Sequence, residues 1–266
     1  MTAATEAPPL NAPETATREA DRTAIERAGW RALLGQPLLV LAGVAAFVGW
    51  RVTADLSATE SRQLGWPALS RSVLEHLELT AVSGAVVIAI AVPLGIALTR
   101  RPLRRFSGAV VAVANTGQAA PAIGLFVLLA TWLGFGFGTT VVTLVLYAAL
   151  PVLRNTMVGI EQVDARLVEA GRGMGMSALA VLLRVELPLA VPVLLTGVRT
   201  ALVLLVGTAT LATFISGGGL GVLITTGINL SLNSLLFSGA VLVALLALAV
   251  DWLGRLVEHL AHPKGL

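Results

Sequence analysis

The sequence predicts an all-α polytopic membrane protein with about six transmembrane helices, and three observations carry that prediction. Of its 266 residues 56% are hydrophobic and only 12% charged, with a mean hydropathy of +0.86; a soluble domain carries roughly 25% charged residues. Apolar runs near the ~20 residues needed to cross ~30 Å of hydrocarbon recur six times, at 33–52, 79–99, 107–133, 139–160, 187–208 and 235–256. The 18 basic residues then divide unevenly between the two sides that these runs define.

Residues 1–29 are rich in Ala, Thr, Glu and Pro without apolar periodicity, the composition of a disordered tail. The run at 33–52 has no small-residue cleavage site and reads as a retained first span, followed by an extracytoplasmic segment, so that 30–73 forms one unit. The main transmembrane domain follows at 74–256, and 257–266 reads as a second tail. Gly and Pro interrupt several spans, as membrane helices allow when neighbours satisfy the freed backbone groups. The span at 107–133 contains Asn115, Gln118 and Pro121 and is expected to kink. Placing the N-terminus in the cytoplasm puts 14 Lys and Arg inside, among them Arg100, Arg101, Arg104 and Arg105, and only Arg51, Arg62 and Arg71 outside. That bias predicts cytoplasmic termini. Trp30, Trp50, Trp132 and Trp252 fall at span ends, where an aromatic belt belongs.

Between the fourth and fifth spans lies a polar island at 164–188, DARLVEAGRGMGMSALAVLLRVELP, with three acids and three arginines in 25 residues. The same charge bias puts it on the cytoplasmic side. Asp164 is suited to cap a short helix through Val168, Glu169 and Ala170, which Gly171, Gly173 and Gly175 would end with left-handed backbone angles before a second helix restarts at Ser177. The unit reads as helix, glycine turn, helix, with small residues where another protein's surface can approach.

This island resembles the cytoplasmic coupling loop of membrane subunits of binding-protein-dependent ABC importers. Glu169, Ala170 and Gly171 stand at the positions of an E-A-A motif, Gly175 at its following glycine, and Leu187 and Pro188 at its closing leucine-proline. Gly171 departs from the pattern by replacing the second alanine. EAGRGMGM together with RVELPLAVPVLLTGVRTA is similar to the osmoprotectant branch, which serves glycine betaine, choline and carnitine. The resemblance implies a five-helix type I importer core plus one N-terminal helix in a bacterial inner membrane. It also implies two ATPase subunits docked on the Glu169 loops, a second permease (identical or paralogous) and an extracytoplasmic substrate-binding protein. A permease for methionine or another small solute shares the loop motif and stays open as an alternative. A channel or secondary carrier is the reading from a different class, against which the absence of an evident inverted repeat and the E-A-A loop both stand.

No catalytic chemistry is expected in the chain. The run Ser216, Gly217, Gly218, Gly219, Leu220, Gly221 lacks the G-K-[ST] ending of a phosphate loop, so ATP would be bound by a partner and no cofactor by this chain. The run is expected instead to form an extracytoplasmic turn or re-entrant stretch serving as a gate or docking surface. His76, His259 and His262 lie at or beyond span ends, and no cluster of buried acids marks a metal site or proton relay. Zero cysteines exclude a disulfide framework, and the scattered basic residues form no stripe for nucleic acid. Arg199, twelve residues past Leu187 and so about 18 Å along the helix, is the exception. With no acid expected deep in another span, its neighbours would be carbonyls, water or Asn115 and Gln118, making these three the candidate pathway residues. Quaternary ammonium groups are held by aromatic cages, yet the chain has one tyrosine, Tyr147, and interfacial tryptophans. Selectivity is therefore expected to rest with the binding protein.

Overall fold

A computed structural model describes residues 34–261; the expected tail at 1–29, Trp30 and His262 lie outside the described residues. The described residues begin with α1 (Leu34–Thr53), followed by the short α2 (Ala58–Gln63) and the long α3 (Trp66–Thr99). After the one-turn α4 (Arg101–Arg104) come α5 (Ser107–Ala119), α6 (Ala122–Leu133) and α7 (Phe137–Glu161). The polar island holds α8 (Ala165–Gly173) and α9 (Ala178–Val181). A π-helical turn (Leu182–Glu186) then leads into α10 (Leu187–Thr208), a 3-10 segment (Ala209–Ile215), α11 (Gly221–Leu230) and α12 (Asn233–Leu260).

Among the described residues, five stretches are long and apolar enough to cross a membrane: α1, α3, α7, the continuous run Ala178–Ile215, and α12. The bent pair α5 and α6 makes a sixth if taken as one span. Its axis turns by 100° between Ala119 and Ala122. Pro121 lacks a backbone N–H and disfavours the α region for the residue before it; Ala120 is accordingly extended, at φ −63° and ψ 144°. The expected kink is thus a full break, and its halves of 13 and 12 residues each reach only about 20 Å.

Helices α3, α7 and α10 form the core. Leu79, Val87, Ala91 and Leu98 of α3, Leu144, Ala148, Val152 and Leu153 of α7, and Ala201 and Leu205 of α10 are buried together. Gly197 of α10 lies so close to α7 that an added Cβ would fall 2.5 Å from the Asn155 Cβ and 2.8 Å from the Pro151 carbonyl oxygen. A second cluster, with Phe47, Leu64, Leu69, Leu220, Leu223 and Leu235, ties α1, the end of α2 and the start of α3 to α11 and α12. Along the spans, hydroxyls turn back to their own helix: Thr80, Thr143 and Thr156 each donate to the carbonyl four residues earlier, as an apolar solvent requires of polar groups. Many large apolar side chains are left outside, Leu38 at 65% exposure and Trp132 at 85% among them, a surface that lipid rather than water accommodates.

The spans outgrow their expected limits. α3 starts at Trp66, not near 79, because Arg71, Glu75, His76 and Glu78 are carried on a helical extension beyond the apolar run. α12 runs to Leu260 and absorbs the first residues of the expected tail at 257–266.

Candidate functional site: a protruding helical loop and the charged residues behind it

Asp164 caps α8, its Oδ1 accepting from the Arg166 N–H at 2.8 Å, as expected. The far end differs from the expectation. Gly171 and Gly173 remain inside the helix, and only Gly175 takes a positive φ, +82°. The Met176 N–H donates to the Gly171 carbonyl at 3.1 Å and the Gly175 N–H to the Arg172 carbonyl at 2.9 Å, the pair of bonds of a Schellman motif. One left-handed residue closes such a motif, so three glycines were not needed. Ser177 restarts the chain by accepting from the Ala180 N–H. From there α9, the π turn and α10 continue without a break.

Glu169 and Ala170 are exposed on α8, whereas Gly171 is buried. A Cβ on Gly171 would meet Val181 at 3.4 Å and the Met176 sulfur at 3.6 Å, while one on Gly175 would meet nothing within 4 Å. The two glycines are therefore constrained differently. Gly171→Ala is expected to fit and to stabilise α8 by about 0.5–1 kcal/mol, because alanine replaces a mid-helix glycine. Gly175→Ala is expected to cost roughly 1–2 kcal/mol through its backbone alone. Thermal unfolding of the two variants in detergent checks the opposite signs.

Leu187 and Pro188 lie within a helix rather than at a loop end. Pro188 has no N–H to offer the Arg184 carbonyl, and the π turn just before it absorbs the mismatch. Leu167, Ala170, Met174, Arg184, Val185 and Pro188 line a groove of about 330 Å³ between α8 and this turn. Within the turn Glu186 is buried and forms a two-pronged ion pair with Arg100, the residue that ends α3: Nη1 lies 3.2 Å from Oε1, and Nη2 contacts Oε2. Sequence reasoning missed this pair, having counted Arg100 only as a topology charge.

Arg199 corrects an expectation. Its Nε lies 3.2 Å from Glu258 Oε1 and its Nη1 3.6 Å from Asp251 Oδ1. Asp251 sits inside the span predicted at 235–256, and Glu258 joins it because α12 continues to Leu260, so acids do lie opposite the arginine. Gly254 stands between them on the same face of α12 and makes room for the arginine stem: a Cβ there would fall 2.7 Å from Arg199 Cγ. Asp251 also accepts from Gln36 of α1 and from Arg255, both at 3.0 Å. Asn115 and Gln118 are not brought to this cluster. They lie on α5, which packs on α7, with Asn115 exposed and Gln118 half-buried.

The glycine run is neither a plain linker nor a free surface. Ser216, Gly218 and Gly219 all have positive φ, and the run folds back onto α3. Glu75 Oε2 accepts from the Gly219 N–H at 3.1 Å, and His76 Nδ1 from the Leu220 N–H at 3.3 Å. His76 is fully buried and its Nε2 donates to the Val206 carbonyl at 2.9 Å, so both ring nitrogens serve to hold this turn. Gly217 abuts Thr140, and a Cβ on Gly221 would fall 1.9 Å from the Thr210 carbonyl oxygen. α11, the short helix after the turn, was not foreseen.

Residues 91–261 match the family described as binding-protein-dependent transport system inner membrane component. A glycine betaine/carnitine/choline transport system permease protein of Bacillus subtilis is 41% identical over 192 residues, covering 72% of this chain and 88% of that protein. An osmoprotectant import permease protein of Salmonella typhimurium is 36% identical over 203 residues, covering 74% and 94%. Among solved structures, an inward-facing methionine ABC transporter superposes with a TM-score of 0.66 at 24% identity, over 78% of this chain and all of that one, a likeness of fold. The exposed, doubly capped helix between two core spans and the match over residues 91–261 agree: the chain belongs to the family of binding-protein-dependent transport system inner membrane components.

Proposed function

We propose that this chain is the membrane-spanning permease subunit of an ATP-driven bacterial importer of osmoprotectants of the glycine betaine, carnitine and choline class. The relatives that bear those substrates in their names support the substrate class. The observation that carries the mechanism is α8, exposed at Glu169 and Ala170, capped at both ends and followed, after the tight turn at Gly175, by the continuous helical run of α9, the π turn and α10. In this reading α8 lies in the cytoplasm and docks on an ATPase that alone binds ATP. Closure of two ATPase subunits draws together the α8 helices of two permeases, identical or paralogous, and α10 transmits the movement into the bundle. Asn115 and Gln118, polar on a broken span, line the path between the two permeases, whereas Arg199 with its two acids braces α10 against α12. Gly217, Gly218, Gly219 and Gly221, packed inward, hold the turn that supports from beneath an extracytoplasmic surface on which a binding protein sits.

Uptake by the permease reconstituted with an ATPase and a betaine-type binding protein tests the assignment. ATP-dependent accumulation of labelled betaine, carnitine or choline is expected, and accumulation of methionine instead would transfer the chain to the methionine class. Topology has its own check. Reporter fusions after Leu103 and near Gly173 are expected to read cytoplasmic, and those near Gly136 and Gly218 extracytoplasmic; a reversed signal at Gly173 overturns the coupling assignment.

A further inference from the structure

The ion pair of half-exposed Arg100 with buried Glu186 has no part in the function described so far, although it links the π turn directly to the end of α3. α8 contacts the remainder of the protein chiefly through α9 and the π turn. Glu186 closes that π turn and is only 5% exposed, and it faces Arg100, the C-cap of α3, a 34-residue helix that contributes to the core. A buried carboxylate needs a charged partner, and a guanidinium fork gripping both oxygens fixes orientation as well as distance. A π turn holds one residue more than an α turn and is a place where a helix can shift register. The pair thus bolts a deformable turn to one of the three helices that form the core.

Resting on the coupling reading of α8, we propose that Arg100 and Glu186 are positioning residues of the transport cycle: they carry the displacement of α8 into α3, so that α3 and α10 move as one body. Without the pair, the end of α3 would be linked to α8 only indirectly, through the packing of α10 on α3 and α7, and a push on α8 would be absorbed in the π turn first. ATP would be hydrolysed and the path would not switch.

The test measures uptake and ATP hydrolysis on the same reconstituted complex. Glu186→Gln keeps the side chain's shape and removes the charge; hydrolysis is expected near wild type while substrate carried per ATP falls roughly tenfold, within the range of coupling between sites. Arg100→Lys keeps the charge without the fork and is expected to lose less. The reversed pair, Arg100→Glu with Glu186→Arg, is expected to recover part of the ratio. An unchanged ratio in both single variants overturns the proposal. If the single variants fail to assemble, the reversed pair decides: assembly with a restored ratio supports the strut, and assembly without it reduces the pair to a structural contact. Glu169→Lys run in parallel separates the two readings, because insensitivity there removes the coupling assignment itself, whereas sensitivity there with none at Glu186 removes only the strut.

Discussion

Arg199→Ala is expected to lower the thermal stability of the purified subunit by roughly 10 °C and to cut the yield of inserted protein. The guanidinium answers two carboxylates, Asp251 at 3.6 Å and Glu258 at 3.2 Å, each about one-fifth exposed. Removing one partner of a buried ion pair strands the other, at a cost of about 3–5 kcal/mol; for a chain of this size each kcal/mol moves the midpoint by about 2–4 °C. Asp251 keeps Gln36 and Arg255, so Glu258 is the group left worse off.

That asymmetry makes the prediction specific. Adding Glu258→Gln to Arg199→Ala is expected to recover more stability than adding Asp251→Asn. Arg199→Lys is expected to hold one acid and not both, because a point charge cannot span two sites two helical turns apart as the planar fork does. Equal recovery by the two neutral partners, or a wild-type melting curve for Arg199→Ala, would mean that the cluster does not brace α10 against α12.

The misreading of Arg199 shows where sequence reasoning lost its grip. Span existence was legible because run length against bilayer thickness is a local property, and the break at Pro121 was legible because proline acts on its own neighbourhood. The capped loop was legible for the same reason: Asp164, Ser177 and Gly175 act within a few residues. Helix ends were not legible, since a helix does not stop where its residues turn polar; α3 carries Arg71, Glu75 and His76 for three turns before the apolar run begins. Asp251 was in view inside its span, but one acid in isolation signals nothing until Arg199 and Gln36 are folded against it, and Gln36 lies 215 positions away. Arg100 and Glu186, 86 positions apart, each had an adequate local explanation that concealed the pairing. The glycine run read as a surface because glycine serves loops and close packing equally. Only the positions of Glu75, His76, Thr140 and Thr210 decide for packing.

Glu169→Lys is expected to abolish transport and substrate-stimulated ATP hydrolysis while leaving the subunit inserted and melting within about 1–2 °C of wild type. Glu169 is exposed and its side chain makes no hydrogen bond or ion pair among the described residues, and surface substitutions of that kind usually change stability by less than about 0.5 kcal/mol. A reversed charge at a docking surface costs several kcal/mol in association, which is a loss of roughly 100-fold or more in affinity for the ATPase. Gly175→Asp reaches the same end by another route. Aspartate tolerates a left-handed backbone better than most residues, so the turn survives, but a charged side chain then projects from a bend where a Cβ meets nothing within the subunit. Whatever packs there in the working complex meets it. Copurification with the ATPase, uptake and melting temperature, measured on both variants, separate docking from folding. Variants that hold their ATPase and transport normally would dismiss α8 as the coupling element, whereas variants that lose the partner and keep their melting temperature locate the damage on the exposed face of α8.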